Sequence, residues 1–434
     1  QFRTLSAAVG AACVAVSLAS PGWAQITAFK QAVAESSSRD DGVAAFYRST
    51  GYQPLWTGMD EVSRERRVAL FQALSLADLH GLPQGRYDIE QLKQQMADVR
   101  SVRDLGMVEA ALSRAFVGYA QDIQTGLLKP SSIDDGIVRS VTRRPTQAFL
   151  EGLSTTTPAL FMRTLAPDTV QYRALLKEKV GLEQLLAEGG WGAKVPVRKL
   201  ERGDKGQAVI ALRDRLIRMG FMGRSASGQF DAALQKGVQS FQVAHGLETD
   251  GVAGKGTIVE INKSVADRLK SVIVALERER WLPRERGNRH ILVNQTDFTA
   301  KVVDEGYVTF ETRSVIGKNT GDRRSPEFSD EMEHMVINPS WYVPRSIITK
   351  EYLPQLQANP NAVSHIEITD SRGRRVNRSA ANFEQYSART FPFAMRQPPS
   401  KRNALGLVKF MFPNKYNIYL HDTPQKSLFA REIR

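Results

Sequence analysis

The stretch "YNIYLHDTPQKSLFAREIR", residues 416–434, joins a strand pattern to a histidine. Ile418 and Leu420 alternate with other residues, which is typical of a β-strand with one buried face. Residues 422–424, Asp-Thr-Pro, form a turn signal. The pattern places His421 at the end of a strand, where an imidazole is well placed to act as a general base for a nearby nucleophile.

The same two-residue period appears upstream. Residues 289–318, "RHILVNQTDFTAKVVDEGYVTFETRSVIGK", alternate apolar and polar side chains, and Asp-Glu-Gly at 304–306 predicts a turn between two strands. Residues 345–395 are more irregular, and the strand pattern resumes at 406–422. The carboxy-terminal third is therefore predicted to be a sheet-rich domain with an insertion.

Composition and charge indicate a folded protein of several domains. The chain has 434 residues, 42% of them hydrophobic, and a net charge of +13. Such a surface attracts anions, including nucleic acid, acidic lipid and polymers that carry carboxylates. The basic run "RGRRVNR" at 372–378 is interpreted as a solvated loop. No motif of a nucleic-acid-binding module accompanies it, so nucleic acid is not an expected partner.

The amino terminus has the pattern of a secretory signal peptide. Arg3 precedes an apolar run, and small residues follow Pro21, so we expect a leader over 1–24 that is cleaved after Ala24. No second membrane segment is apparent, so no stable span is expected after cleavage. Cys13, the single cysteine, lies in this leader. The mature chain is then expected to lack disulfides and thiolate metal sites.

Residues 26–190 carry helical patterning, with Leu112, Phe116 and Tyr119 among the residues on one face, and are predicted to form a helical scaffold domain. His80 stands in one of the breaks between helices and is interpreted as a turn or capping residue.

A compact unit of three short helices is predicted over 198–263. Its helices carry their apolar residues at helical spacing. The glycines of "DGVAGKGT" at 250–257 fit neither a P-loop nor a dinucleotide fingerprint, so they are interpreted as a turn before a helix. The apolar positions are Val209, Leu212, Leu216, Met219, Leu234, Val238, Phe241, Ile258 and Ile261.

The order "LxxGDxG", "GxFD" and "FQxxxGLxxDGxxGxxT" across this unit resembles the small peptidoglycan-binding domain of bacterial wall enzymes. Farther on, "INPSWYVP" at 337–344, "RQPPSKRNALGLVKFMFP" at 396–413 and "IYLHDTP" at 418–424 together resemble the catalytic domain of the large periplasmic L,D-transpeptidases. The resemblance covers almost the whole mature chain. It implies a multidomain α+β protein whose catalytic domain spans 285–434, with an inserted cap at about 345–395.

The resemblance also assigns roles to residues. It implies that His421 is the general base, that the backbone carbonyl of Asp422 orients it, and that Trp341 and Tyr419 line the substrate cleft, although a core role for either aromatic residue is equally open. The nucleophile of the family is a cysteine that follows the histidine. Residues 422–434 contain none, so we expect the given chain to stop short of it and to be inactive as a transpeptidase. Strand edges and apolar faces are then expected to be exposed within residues 290–434.

The implied activity is the formation of 3-3 cross-links between diaminopimelate residues through a cysteine acyl-enzyme in the periplasm. Peptidoglycan stem peptides and glycan are the implied partners, and no cofactor is implied. Two alternatives stay open: a wall-binding protein without catalysis, and an L,D-carboxypeptidase-type hydrolase whose acyl-enzyme is resolved by water. The spacing of His245, His290, His334 and His365 matches no metal-binding motif, so a zinc site is not expected.

Overall fold

The computed structural model describes residues 21–321 and 323–431. These fall into two compact units. The helical unit contains the described residues up to Ile133, together with Ser140–Trp191 and Lys263–Arg286. The mixed unit contains Asp134–Arg139, Gly192–Asn262 and the residues from Gly287 onward. Helices dominate the described residues up to Arg280, and the short antiparallel sheets all follow from Arg289 onward, which confirms the predicted multidomain α+β class.

The described residues of the helical unit contain ten α-helices, the last of which follows the three-helix segment in sequence. They are α1 Pro21–Ser37, α2 Asp41–Ser49, α3 Glu61–Ser75, α4 Ile89–Ala97, α5 Val102–Thr125, α6 Pro130–Ile133, α7 Thr146–Thr155, α8 Pro158–Leu165, α9 Val170–Ala187 and α13 Val265–Arg280. A capping box between Ser101 and Asp104 begins the long α5. Leu112, Phe116 and Tyr119 are all buried there, as their spacing predicts.

A buried carboxylate fixes the loop after α2 in this unit. Glu109 of α5 has no exposed surface. Its oxygens accept hydrogen bonds from Tyr47 Oη at 2.6 Å, from the backbone amides of Leu55 and Trp56, and from both the amide and the hydroxyl of Thr57. A buried charge is tolerated when its lone pairs are filled in this way. Glu109 therefore ties α2 and its following loop to α5.

The leader predicted over 1–24 lies almost entirely outside the described residues and stays a prediction. α1 begins at Pro21 and runs through the expected cleavage position after Ala24. Within the described part of the chain, every helix is too short or too polar to cross a membrane.

The helix α13 belongs to the helical unit although it follows the three-helix segment in sequence. α13 begins at Val265, because Ser264 and Asp267 form a capping box. Leu276 and Trp281 are buried, and Glu277 Oε1 accepts a hydrogen bond from Leu128 N at 2.9 Å. Its last turn therefore belongs to the core of the helical unit.

Three short helices form the first part of the mixed unit: α10 Gln207–Arg218, α11 Ala232–Ala244 and α12 Lys255–Ile261. The Asp231 side chain caps α11 by accepting a hydrogen bond from Leu234 N at 2.9 Å. The glycine-rich segment ends in a turn at Gly254, where α12 begins. The predicted apolar positions are buried together, apart from the half-buried Met219. The three-helix prediction is confirmed.

In the rest of the mixed unit, residues 287–321 and 323–431 are described and contain nine strands in three antiparallel sheets. They are β1 Arg289–Asn294, β2 Thr299–Asp304, β3 Tyr307–Arg313, β4 His334–Ile337, β5 Trp341–Tyr342, β6 Glu367–Thr369, β7 Ala394–Gln397, β8 Val408–Met411 and β9 Leu420–His421. The sheet orders are β1-β2-β3, β4-β8-β9 and β5-β7-β6. Glu305 and Gly306 both have positive φ, 49° and 83°, which is the backbone of a tight hairpin. The predicted turn at 304–306 is confirmed.

Residues 345–395 are more ordered than their sequence pattern suggests. They contain α14 Arg345–Ile347, a π-helical turn over Ile348–Tyr352, α15 Leu353–Ala358 and the strand β6. Apolar side chains scattered along the segment, including Leu356, Ile366, Phe383 and Phe391, are buried in one cluster. Because the helices and strands here are short, neither the alternating nor the helical period continues long enough for the sequence to predict this buried cluster.

The basic run at 372–378 is exposed but is not a free patch of charge. Arg374 forms an ion pair with Asp370 at 2.8 Å, and Arg375 pairs with Glu367. The Arg378 guanidinium donates to backbone carbonyls of residues 360–366, among them that of Ala362 at 2.6 Å. The exposure agrees with the prediction of a solvated loop, and the structure adds that several of its arginines are held by ion pairs and backbone hydrogen bonds.

Several edge strands of the mixed unit, β3 and β4 among them, expose apolar side chains. On β3, Tyr307 and Phe310 are 77% and 58% exposed, and on β4, Met335 and Ile337 are 57% and 72% exposed. Each of these strands lies at the edge of its sheet. The expectation of exposed edges and apolar faces within residues 290–434 is confirmed for the described residues.

Candidate functional site

The site is built on the hairpin that joins β8 to β9. Lys409 pairs with His421 and Phe410 with Leu420 across the two strands. Asn414 shapes the connection, because its Nδ2 donates to the carbonyls of Phe412 and Ile418, both at 2.7 Å, while its Oδ1 accepts from Tyr416 N at 3.0 Å. The sequence analysis missed Asn414. The signal that could have revealed it is the Pro-Asn pair at 413–414, which is typical of turns.

The hydrogen bond of His421 defines its tautomer. Nδ1 lies 2.6 Å from the backbone carbonyl oxygen of Asp422. A carbonyl oxygen only accepts, so Nδ1 carries the hydrogen and the neutral ring has its lone pair on Nε2. No described residue supplies a hydrogen-bond partner for Nε2. The ring is therefore oriented to accept a proton at Nε2.

The surroundings of His421 keep it in the neutral form. Desolvation lowers the pKa of His421 below its usual value, since neighbouring protein atoms displace part of the water around the ring, although the residue as a whole is exposed. The Asp422 carbonyl raises this pKa by accepting the Nδ1 hydrogen bond, and the positive charge of Lys409 lowers it again. The net direction is downward, so His421 is predominantly an uncharged base at neutral pH.

The side chain of Asp422 forms neither a hydrogen bond nor an ion pair with the imidazole of His421, although its negative charge also raises the pKa of His421. Its Oδ1 forms an ion pair with Lys426 and accepts a hydrogen bond from Thr423 N at 2.7 Å. The hydrogen bond from Lys426 is the main reason that the pKa of Asp422 is lowered. The carboxylate thus stabilises the turn after the strand, and the backbone carbonyl is the group that contacts the ring.

The loop at 397–406 is hydrogen-bonded to this turn. Leu405 O accepts a hydrogen bond from Asp422 N at 3.3 Å. Gly406 has φ +71°, and a β-carbon there would come within 2.5 Å of Asp422 Cβ, so only glycine fits. Buried Asn403 holds the loop, since its Nδ2 donates to Pro398 O at 2.9 Å and its Oδ1 accepts from Leu405 N at 2.8 Å.

The two predicted cleft aromatics lie in different surroundings. Half-buried Trp341 lines a cavity of about 500 Å³ and meets Tyr352 edge to face, with ring centroids 6.4 Å apart. Tyr419 instead packs against Phe412, and Lys409 Nζ lies 3.8 Å from its ring centroid. The structure therefore brings Trp341, but not Tyr419, to the cavity. The substrate-binding role of both residues stays a prediction.

The other histidines have structural or open surroundings. His80 stacks on Tyr172, and its Nδ1 lies 3.0 Å from Tyr172 Oη. His245 ends α11, where its Nδ1 lies 2.8 Å from Phe241 O. His365 lines the same cavity as Trp341. Among the residues that the structure describes, His, Cys, Asp and Glu form no cluster of three that could hold a metal ion.

Known protein families match three segments of this chain. Residues 288–434 match the family described as "L,D-transpeptidase catalytic domain". Residues 205–261 match the "Putative peptidoglycan binding domain" family, and residues 41–178 match the "Scaffold domain" family. A curated "Putative L,D-transpeptidase" from Haemophilus influenzae is 33% identical over 146 residues, which are 33% of this chain and 29% of that relative.

Taken together, the three matches correspond to a scaffold domain, a peptidoglycan-binding domain and an L,D-transpeptidase catalytic domain, in that order along the chain. The match of residues 288–434 to the L,D-transpeptidase catalytic-domain family agrees with the resemblance that the sequence motifs implied. The matched segment spans less than a third of the length of the curated relative, 29%.

Proposed function

We propose that the protein acts on peptidoglycan as an L,D-transpeptidase with His421 as its general base. The observation that carries this proposal is the orientation of the imidazole: Nδ1 donates to Asp422 O at 2.6 Å, which leaves the lone pair of Nε2 open to a proton. The lowered pKa of His421 supports the role, because it keeps the ring unprotonated at neutral pH. The match of residues 288–434 to the catalytic-domain family supports the reaction class.

In the first half of the proposed reaction, a cysteine thiol gives its proton to Nε2 of His421. The sulfur attacks the carbonyl of diaminopimelate, the third residue of a tetrapeptide stem. The bond to the terminal D-alanine breaks, and the imidazolium returns the proton to the departing amine. Backbone N–H groups around the carbonyl oxygen would stabilise the tetrahedral intermediate. A thioester between enzyme and stem remains.

In the second half, the side-chain amine of a diaminopimelate on another stem attacks the thioester. The amine loses its proton to Nε2, and the sulfur leaves and regains a proton, which forms the 3-3 cross-link. A thiol with a pKa near 8.5 is only a few per cent ionised at neutral pH, so a neutral imidazole beside it raises its reactivity. The proposed reaction requires no metal or organic cofactor.

The proposed nucleophile is a cysteine thiol of the gene product, as the family resemblance implies. The single cysteine within residues 1–434, Cys13, belongs to the predicted leader and is not the proposed nucleophile.

Peptidoglycan stems and glycan are the proposed partners, and the periplasm is the proposed location. The peptidoglycan-binding family match at 205–261 supports the partner. Domains that act on the wall work outside the cytoplasm, and the net charge of +13 favours encounter with a polymer that carries carboxylates.

The proposal is tested by incubating the full gene product with disaccharide-tetrapeptides labelled in diaminopimelate and following the products by mass spectrometry. We expect loss of D-alanine with formation of cross-linked dimers. His421→Gln should reduce dimer formation by about 100-fold or more, the usual contribution of a general base. Lys415→Gln, an exposed change on the same hairpin, is the matched control and should be neutral.

The products also separate the two alternatives. Release of D-alanine with tripeptides and no dimers identifies a hydrolase. Stem binding without any release of D-alanine identifies a wall-binding protein and refutes the enzymatic proposal.

A further inference from the structure

The cavity that Trp341 lines has the composition of a site for an anionic peptide group. Its volume is about 500 Å³. Trp341 and Tyr352 provide aromatic walls. Among the described residues that line it, Arg402 is a permanent cation and His365 a titratable one, and the others are uncharged: Trp341, Tyr352, Ser364, Gln397, Ala404 and Pro424.

The backbone that carries Arg402 is fixed by its neighbours. Gln397 is buried, and its amide group bridges the loop by donating to Arg402 O at 3.1 Å and accepting from Ala404 N at 2.8 Å. Asn403 ties down the next residue through the carbonyls of Gln397 and Pro398. Arg402 therefore extends from a preorganised loop, which is what a binding residue requires.

Like the exposed Arg372 and Arg389, Arg402 has a guanidinium without a partner among the described residues, but unlike them it lines the cavity. Arg375 and Arg396 both pair with Glu367, and Arg378 donates to backbone carbonyls. Arg402, by contrast, has neither an ion pair nor a side-chain hydrogen bond to any described residue. Its donors are available to a ligand, and a guanidinium matches a carboxylate by forming two parallel hydrogen bonds.

The cavity is also connected to the candidate base. Pro424, which lines the cavity, lies three residues after His421. The loop that carries Arg402 also contains Leu405, whose carbonyl oxygen accepts a hydrogen bond from Asp422 N. A group bound in the cavity therefore lies on the same framework that orients the imidazole.

We propose that this cavity recognises a free carboxylate of the donor stem, with Arg402 as the residue that confers specificity. The inference rests on the proposed function, since it assigns the carboxylate group by which the protein recognises the donor stem. A tetrapeptide stem offers two such carboxylates near the scissile bond: the carboxyl terminus of D-alanine and the side-chain carboxylate of diaminopimelate. Both present the same chemistry to the guanidinium.

The test is a binding measurement, which does not depend on catalysis. Isothermal titration calorimetry of the 434-residue chain would compare three tetrapeptides: the free acid, a form amidated at D-alanine, and a form amidated at the diaminopimelate side chain. We expect one amidation to weaken binding by about 10-fold or more, as for the loss of a charge-assisted hydrogen bond. The amide that does so identifies the carboxylate.

Variants of the loop assign the effect to Arg402. Arg402→Gln should weaken binding of the free acid by a similar factor and should abolish the difference between acid and amide. Arg402→Lys, which keeps the charge, should retain part of the affinity. Lys401→Gln is the matched control, because this neighbouring exposed cation does not line the cavity. Circular dichroism confirms that each variant is folded.

The outcomes separate this inference from the proposed function. Equal binding of the acid and both amides, or unchanged discrimination in Arg402→Gln, overturns the carboxylate site and leaves the transpeptidase proposal standing. If the wild-type chain binds none of the three stems, the inference and the proposed donor substrate both fail.

Discussion

Both units of the molecule contain a histidine whose pKa is lowered by desolvation, but they surround it differently. In the helical unit, the pKa of His80 is lowered to about 4, first by burial and then by Arg280 and Lys179. Its ring stacks on Tyr172 and shares a hydrogen bond with it. In the mixed unit, His421 bonds through Nδ1 to a backbone carbonyl and has no described partner at Nε2.

The comparison shows that a lowered pKa does not by itself mark a catalytic residue. Desolvation acts on both rings. The difference lies in what each ring contacts: a packed aromatic side chain for His80, and an accepting carbonyl with an open second nitrogen for His421. His80 lies among packed side chains of the helical unit, whereas His421 lies in the mixed unit, where several edge strands are exposed.

The largest effect that this contrast predicts concerns Glu109. Replacing Glu109 by Gln puts an amide group among five donors, so we expect the free energy of unfolding of the helical unit to fall by about 3 kcal/mol. Hydrogen exchange of the helical-unit amides measures the change, because a multidomain chain does not unfold in one step. Glu90→Gln, which removes an exposed pair with Lys93, is the control and should cost less than about 1 kcal/mol. Equal effects of the two substitutions would contradict the packed role of Glu109.

The next largest effect is a pH dependence of the helical unit. Between pH 6.5 and about 4, the unfolded chain binds a proton at His80 that the folded chain does not. The contribution of neutral His80 to the free energy of unfolding is therefore fully present above pH 6.5. It is lost as the pH falls toward 4, which lowers the free energy of unfolding by up to about 3 kcal/mol.

Hydrogen exchange of the helical unit across this pH range tests the expectation. His80→Gln should remove part of the decline, and the difference between wild type and variant isolates His80 from the carboxylates that titrate nearby. Parallel curves for the two proteins would show that His80 is not the group responsible.

A smaller effect is expected in the loop beneath the site. Asn403→Ala removes three hydrogen bonds in a buried position and should destabilise the loop at 397–406 by about 1–3 kcal/mol. Faster hydrogen exchange at Leu405 N and Asp422 N would report it. Asn377→Ala, which removes one exposed hydrogen bond to Ser379 N, serves as the control. Unchanged exchange at both amides would show that the loop does not depend on Asn403.

The smallest effect sharpens the comparison of the two imidazoles. Lys409→Met keeps most of the bulk beside His421 and removes a positive charge, so the pKa of His421 should rise. The imidazole signals in an NMR titration measure this pKa directly. Lys415→Met removes a charge on the same hairpin that has no assigned effect on His421, and it should leave the titration unchanged. A fall in the pKa of His421 in Lys409→Met would contradict the sign of the interaction.

Local patterns predicted much of this molecule. The three helices around Val209 and Leu234 and the hairpin at 304–306 follow from spacing and turn residues alone. The order of the motifs predicted the resemblance that the family match at 288–434 agrees with, and it predicted His421 as a site residue. These features are encoded within a few residues of one another.

The rest depends on contacts between distant residues. Lys409 acts on His421 only because the register of β8 and β9 pairs them, and the residues that bury Glu109's carboxylate come from a loop more than fifty positions earlier in the chain. The core within residues 345–395 joins side chains from several short elements. Neither register nor long-range burial can be read from a local period.

The contact between His421 and a backbone carbonyl has a consequence for how the site can vary. Every amino acid supplies the same carbonyl oxygen, so a substitution at residue 422 changes the turn but cannot delete the group that selects the tautomer. In enzymes that orient histidine with a carboxylate side chain, a single codon change removes the orienting group. Here the orientation of the imidazole is robust to point mutation at its partner, and the genetic vulnerability shifts to the residues that hold the backbone in place, such as Gly406 and Asn414.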